Sequence, residues 1–88
     1  MAELVDLGDG LTVDYGDDYE TTYYYNGKQF IVNGLYEDGE AWINDDWYTY
    51  TRDSDSGEVV LSDKDDVITY KFEDTDAGWA AFVRKVLG

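Results

Sequence analysis

Apolar positions change their period once along this chain. From Asp74 to Gly88, Trp79, Phe82, Val83, Val86 and Leu87 recur at i, i+3, i+4, i+7 and i+8. That spacing predicts a helix with one buried face. Asp74 or Asp76 is placed to cap its start, because a short carboxylate accepts from the orphan N–H groups of a first turn. Arg84 and Lys85 fall in the last turn, where cations suit the dipole, and Gly88 takes the terminating position.

Upstream the period is two. Residues Met1 to Gly10 form a loose lead-in or short edge segment, with Leu4, Val5 and Leu7 as apolar points. Leu11 to Tyr15 alternates, which predicts a half-buried strand with Leu11, Val13 and Tyr15 inward. The clearest local signal is Asn26-Gly27 between the runs Tyr19–Tyr25 and Lys28–Asn33. Asn-Gly between alternating runs predicts a type I′ hairpin, since both central residues need positive φ. A two-residue loop pairs Tyr25 with Lys28, Tyr23 with Phe30 and Thr21 with Val32 on the core face. Thr22, Tyr24 and Ile31 then lie on the other face. Further strands are expected at Glu40–Asn44, Trp47–Arg52, Glu58–Ser62 and Val67–Phe72. Tyr48 and Tyr50 share one side of the second of these, opposite Trp47 and the threonines. Ile68, Tyr70 and Phe72 face inward from the last. The expectation is one α+β domain over residues 1–88. It is an antiparallel meander of about six short strands, with one C-terminal helix packed on one face.

Composition then removes several chemistries. The chain has no Cys, His or Pro. No disulfide, thiolate nucleophile, imidazole base or His/Cys zinc site can form. No apolar run is long enough to span a bilayer, and Met1 to Asp6 has no basic signal-peptide region. A soluble, cytoplasmic protein without membrane contact or cofactor is expected. Asp53, Asp55 and Gly57 superficially suggest a calcium loop. Counted from Asp53, the fifth and sixth positions are Gly57 and Glu58 and the twelfth is Lys64, so the ligand pattern fails. Paired carboxylates can hydrolyse glycosides, but only in a cleft that raises one pKa. Carboxylates scattered through turns do not build one, and the expectation is a protein that is not an enzyme.

Charge is the strongest remaining feature. The net charge is −15, from 21 acidic and 6 basic residues, beside nine Tyr, three Trp and three Phe. The aromatics supply a core, so this is a folded chain under an acidic surface. A net charge of about 2–8 usually suffices for solubility, and the excess works against compactness. No Lys or Arg precedes Lys28 and none lies between Asn33 and Thr51, so the chain lacks the basic footprint needed to bind DNA or RNA directly. The acidic residues instead recur in blocks at predicted turns and strand ends. Asp17, Asp18, Glu37, Asp38, Glu40, Asp45, Asp46, Asp53, Asp55, Asp63, Asp65 and Asp66 are the candidate partner-binding residues. Such turns gather along the two edges of a meander, where rows of carboxylates can occupy Arg/Lys clusters shaped for phosphate.

In size, charge, aromatic content and lack of catalytic residues, the chain resembles the small acidic DNA mimics that phages use against host defence. Many anti-CRISPR and anti-restriction proteins are among them. The resemblance is one of overall character and covers the whole chain. It implies an inhibitor, in the host cytoplasm, that occupies the nucleic-acid groove of a CRISPR effector or restriction-type nuclease. The partner is then a basic nucleic-acid-binding protein, and the inhibitor a monomer or homodimer. A second reading is a non-enzymatic structural or adaptor domain whose acidity is only a solvated surface, the ordinary domain of a salt-adapted cell included. A mimic loses its partner as salt rises, whereas a salt-adapted domain needs salt to fold.

Overall fold

The computed structural model describes residues 4–16, 20–34 and 38–88. Among them, eight strands precede one helix: β1 Leu4–Gly8, β2 Leu11–Tyr15, β3 Glu20–Tyr25, β4 Lys28–Asn33, β5 Asp38–Ile43, β6 Asp46–Asp53, β7 Glu58–Asp63, β8 Thr69–Glu73 and α1 Asp76–Leu87. Each strand pairs antiparallel with the next, in the order β1 to β8. The architecture is α+β, as expected, but with eight strands rather than about six. The lead-in is a full edge strand. Asp9 and Gly10, with φ of 55° and 84°, turn β1 onto β2, and the register shifts between Asp6 and Gly8. That irregularity breaks the period-two pattern that would have marked the strand.

The central hairpin has the expected register. Tyr25 pairs with Lys28, Tyr23 with Phe30 and Thr21 with Val32. Asn26 and Gly27 both have positive φ, 54° and 73°, as a type I′ turn requires. The helix lies across one sheet face. Trp79, Ala80, Phe82, Val83 and Leu87 bury against Tyr23, Phe30, Val32, Tyr50, Val59, Leu61 and their neighbours. Phe82 stacks on Phe72 at 4.2 Å and meets Phe30 and Tyr70 edge-on at 5.6 and 5.5 Å. Trp79 meets Phe72 edge-on at 4.9 Å. One helix face thus gathers aromatics from β3, β4, β6 and β8.

Three details differ from expectation. Thr75, not Asp74 or Asp76, caps the helix: it is extended (φ −133°, ψ 161°), and its Oγ1 accepts from Gly78 N at 3.0 Å. Asp76 adds first-turn charge, and Asp74 is engaged elsewhere. Gly78 is required there, because a Cβ would come within 2.0 Å of the Glu73 carbonyl oxygen. Tyr15 lies on the helix side, paired with Thr21, but is 55% exposed because it borders an open cleft beside α1. Ile68 is 44% exposed and precedes β8, because the Asp63 carboxylate draws its backbone into the β7–β8 turn.

Candidate partner-binding surface

An all-antiparallel meander sends alternate turns to opposite ends of its strands. The turns β1–β2, β3–β4, β5–β6 and β7–β8 lie at one end, and β2–β3, β4–β5, β6–β7 and the entry to α1 at the other. Strands of five to eight residues separate the ends by roughly 17–26 Å. Asp45, Asp46, Asp63, Asp65 and Asp66 therefore sit at the first end, and Asp38, Asp53 and Asp55 at the second. Glu40 stands between them, on the sheet face that α1 leaves uncovered. Asp17, Asp18 and Glu37 lie outside the described residues. The fold thus builds two acidic ends and not one continuous row.

These carboxylates do different work. Asp53 Oδ1 accepts from the backbone N–H of Asp55 at 3.0 Å and of Ser56 at 3.4 Å. Those bonds hold its carboxyl below the usual carboxylate range. Asp63 Oδ1 accepts from Val67 N at 2.7 Å and Ile68 N at 3.1 Å. Both side chains brace their own turns, the ordinary use of Asp at such positions. Asp38, Asp45, Asp46, Asp55, Asp65 and Asp66 are exposed and remain available to solvent or a partner.

Two recesses collect part of this set. One, of about 370 Å³, lies at the first end between Asp45, Asp46, Asp63, Lys64, Trp47, Tyr48 and Ile68. Burial, followed by the neighbouring Tyr70, Asp46 and Asp63, pushes the Tyr48 phenol up, so it stays a neutral hydroxyl. The other, of about 280 Å³, is floored by Ile31 and Trp42 and edged by Glu20, Gln29, Asn44 and Asp45. Asp45 borders both. It stands in a β5–β6 turn that Asn44 makes with a left-handed φ of 58°.

The open sheet face carries residues that charge alone did not single out. Ile31, Trp42 and Trp47 lie side by side across β4, β5 and β6, with Trp42 directly opposite Trp47. Trp47 is 38% exposed, and its Nε1 donates to Glu40 Oε2 at 2.7 Å. The register drawn from Asn26-Gly27 already put Ile31 outside. Continuing it through Ala41 and Ile43, which face the core, places Trp42 there too.

Basic residues are distributed unevenly. By register and position, Lys28, Arg52, Arg84 and Lys85 belong to the helix side, Lys64 to the β7–β8 turn, and Lys71 to the open face of the last strand. Arg52 is committed: it forks onto Asp74 at 2.9 and 3.2 Å, with its guanidinium 5.7 Å from the Trp79 ring centre. The open face of β1 to β7 bears no cation among the described residues.

Among the described residues no group of three or more carboxylates is placed to hold a metal ion, and no helix is long and apolar enough to cross a membrane. No family model, curated protein or solved structure matches the chain.

Proposed function

We propose that this protein is an acidic inhibitor that binds a basic nucleic-acid-processing enzyme, of the CRISPR-effector or restriction-nuclease kind, and denies it DNA or RNA. The observation that carries this reading is the segregation of charge. The chain carries a net charge of −15 and sets exposed carboxylates at turns and strand ends of the sheet, while most of the few cations lie on the helix side or in a turn. Rigid, outward carboxylates suit Arg and Lys arrays built for phosphate, because little side-chain entropy is lost on docking. Such a binder works by occupancy and needs no catalytic group. As a phage-encoded protein it would act in the host cytoplasm.

The test is inhibition. Purified CRISPR effectors and restriction nucleases are assayed with the protein added before and after nucleic acid, at low and high salt. Inhibition that requires prior addition, is competed by DNA or RNA and fades at high salt supports mimicry. No inhibition across a broad panel would sink it.

The division of carboxylates between two distant strand ends favours a second reading, a non-enzymatic adaptor domain with a solvated acidic surface. A domain of that kind, if salt-adapted, melts tens of degrees higher in molar salt and binds no nuclease.

A further inference from the structure

We infer that the open face of the sheet is the docking surface for an arginine-bearing protein, with Trp42 and Trp47 as its apolar floor and Glu40 as the carboxylate that receives a guanidinium. This rests on the reading above only in requiring a basic partner.

Antiparallel sheets with one solvated face place polar residues outward. Most outward positions here obey: Thr12, Gln29, Asn33, Thr49, Thr51, Ser62 and Thr69 all lie on the face opposite the helix. Leu4 on β1 and Val60 on β7 stand apart, and the other exceptions cluster. Ile31, Trp42 and Trp47 form one cross-strand row, with Tyr24, 39% exposed, diagonal to it. Polar and acidic positions flank that row on both sides. Gln29 and Thr12 lie toward the hairpin turn, and Asn33, Glu40 and Asp38 toward the other end. Large aromatics at the centre of a polar rim are the usual make-up of an interface hot spot.

Charge complementarity selects the occupant. β1 to β7 present no cation on this face, whereas Asp6, Asp38, Glu40 and Glu58 point out from it. A nucleic acid is repelled, and a second copy brings the same −15 charge against itself. The bond from Trp47 Nε1 holds the Glu40 carboxylate at the edge of the indole. The carboxylate keeps lone pairs for a donor arriving over the ring. A planar guanidinium can stack on an indole and fork onto a carboxylate together, which an ammonium cannot. The recess between Trp42 and Asp45 extends the same surface toward the acidic turn.

The probe is a capped hexa-arginine peptide, with hexa-lysine as its control, titrated into the 15N-labelled protein. Support requires shifts at the Trp42 and Trp47 indole N–H and along β4 to β6, tighter binding of arginine than lysine, and an affinity loss of about three- to fivefold in Trp47→Thr or Glu40→Gln. Asp55→Asn and Asp65→Asn, at the two strand ends, should change it less than about twofold. Thermal melts of each variant confirm folding before binding is read. Shifts confined to the turns, equal affinity for both peptides, or open-face shifts that appear on concentrating the protein alone overturn the inference. Nuclease inhibition that survives Trp47→Thr removes this docking surface and leaves the inhibitor reading intact. Arginine capture without inhibition of any nuclease does the reverse.

Discussion

Trp79 Nε1 donates to Asp74 Oδ1 at 2.8 Å, tying the buried anchor of the helix to the residue just before its cap. Arg52 forks onto the same carboxylate from β6. One acidic side chain therefore joins the helix entry to the sheet. The ion pair is largely exposed and worth at most about 1 kcal/mol. The indole N–H sits on a residue that is 8% exposed, so its bond is the costlier one to lose. Asp74→Ala should destabilise the fold by about 1–3 kcal/mol.

That difference should depend on pH. Burial pushes the Asp74 carboxyl up, but hydrogen bonds from Trp79 and Arg52, together with the Arg52 charge, outweigh it and leave the carboxyl below its ordinary 3.8. A carboxyl depressed in the folded state contributes its full stabilisation above the ordinary value and loses it as pH falls through the folded one. The gap between wild type and Asp74→Ala in urea unfolding should hold from neutral pH to about 4.5 and shrink below that. Relief of repulsion from the net charge affects both proteins almost equally. A gap independent of pH down to acid unfolding would show that Asp74 acts without its charge.

Phe82 is a buried core position where truncation is costly. It stacks on Phe72 and meets Phe30 and Tyr70 edge-on, so its removal leaves a cavity bounded by three rings on two strands, β4 and β8. Phe82→Ala should cost about 3–5 kcal/mol, enough to leave a substantial unfolded fraction at 37 °C. Phe82→Leu keeps most of the volume and should retain a cooperative melt. Calorimetry of the two variants checks the order.

The helix, its buried face and the Asn26-Gly27 register were legible because each rests on a local period or a turn that demands particular residues. β1 was not, since a bulge breaks its alternation. The Asp74 and Asp76 caps were misassigned because Asp and Thr both satisfy the capping chemistry, and only the backbone path decides that Thr75 is extended there. Charge alone marked the acidic residues as one class. Their separation into turn braces and exposed groups depends on which backbone N–H lies within reach, a three-dimensional property.

That separation is testable by substitution. Asp63 holds the N–H groups of Val67 and Ile68, and Asp53 those of Asp55 and Ser56. Asp63→Ala should lower stability by about 0.5–2 kcal/mol and raise amide exchange across Val67 and Ile68. The double charge reversal Asp45→Lys and Asp46→Lys touches no such bond. It should leave the melting temperature within a few degrees, or raise it as net charge falls, while weakening a basic partner several-fold. Loss of folding in the reversal, with Asp63→Ala unchanged, would invert the assignment.

At the alkaline limit the tyrosines report on the core. Burial first, reinforced by Tyr15 and Asp76, pushes the Tyr23 phenol far above its ordinary 10.0. Burial likewise raises Tyr48, and it raises Tyr50 against the opposing pull of Arg52. The folded state keeps these phenols protonated, whereas the unfolded chain ionises them near the ordinary value. A group raised in this way contributes its full stability below the ordinary pKa, and that stability is lost as pH rises through the folded one. Titrated by phenolate absorbance, Tyr23, Tyr48 and Tyr50 should form a late set. The late set should appear only with the loss of far-ultraviolet ellipticity. Tyr50→Phe removes one late phenol and should move that joint transition to higher pH, because one fewer buried hydroxyl is pulled toward ionisation in the unfolded chain. A single phase covering all nine tyrosines while the sheet spectrum stays native would mean that Tyr23, Tyr48 and Tyr50 reach solvent without unfolding.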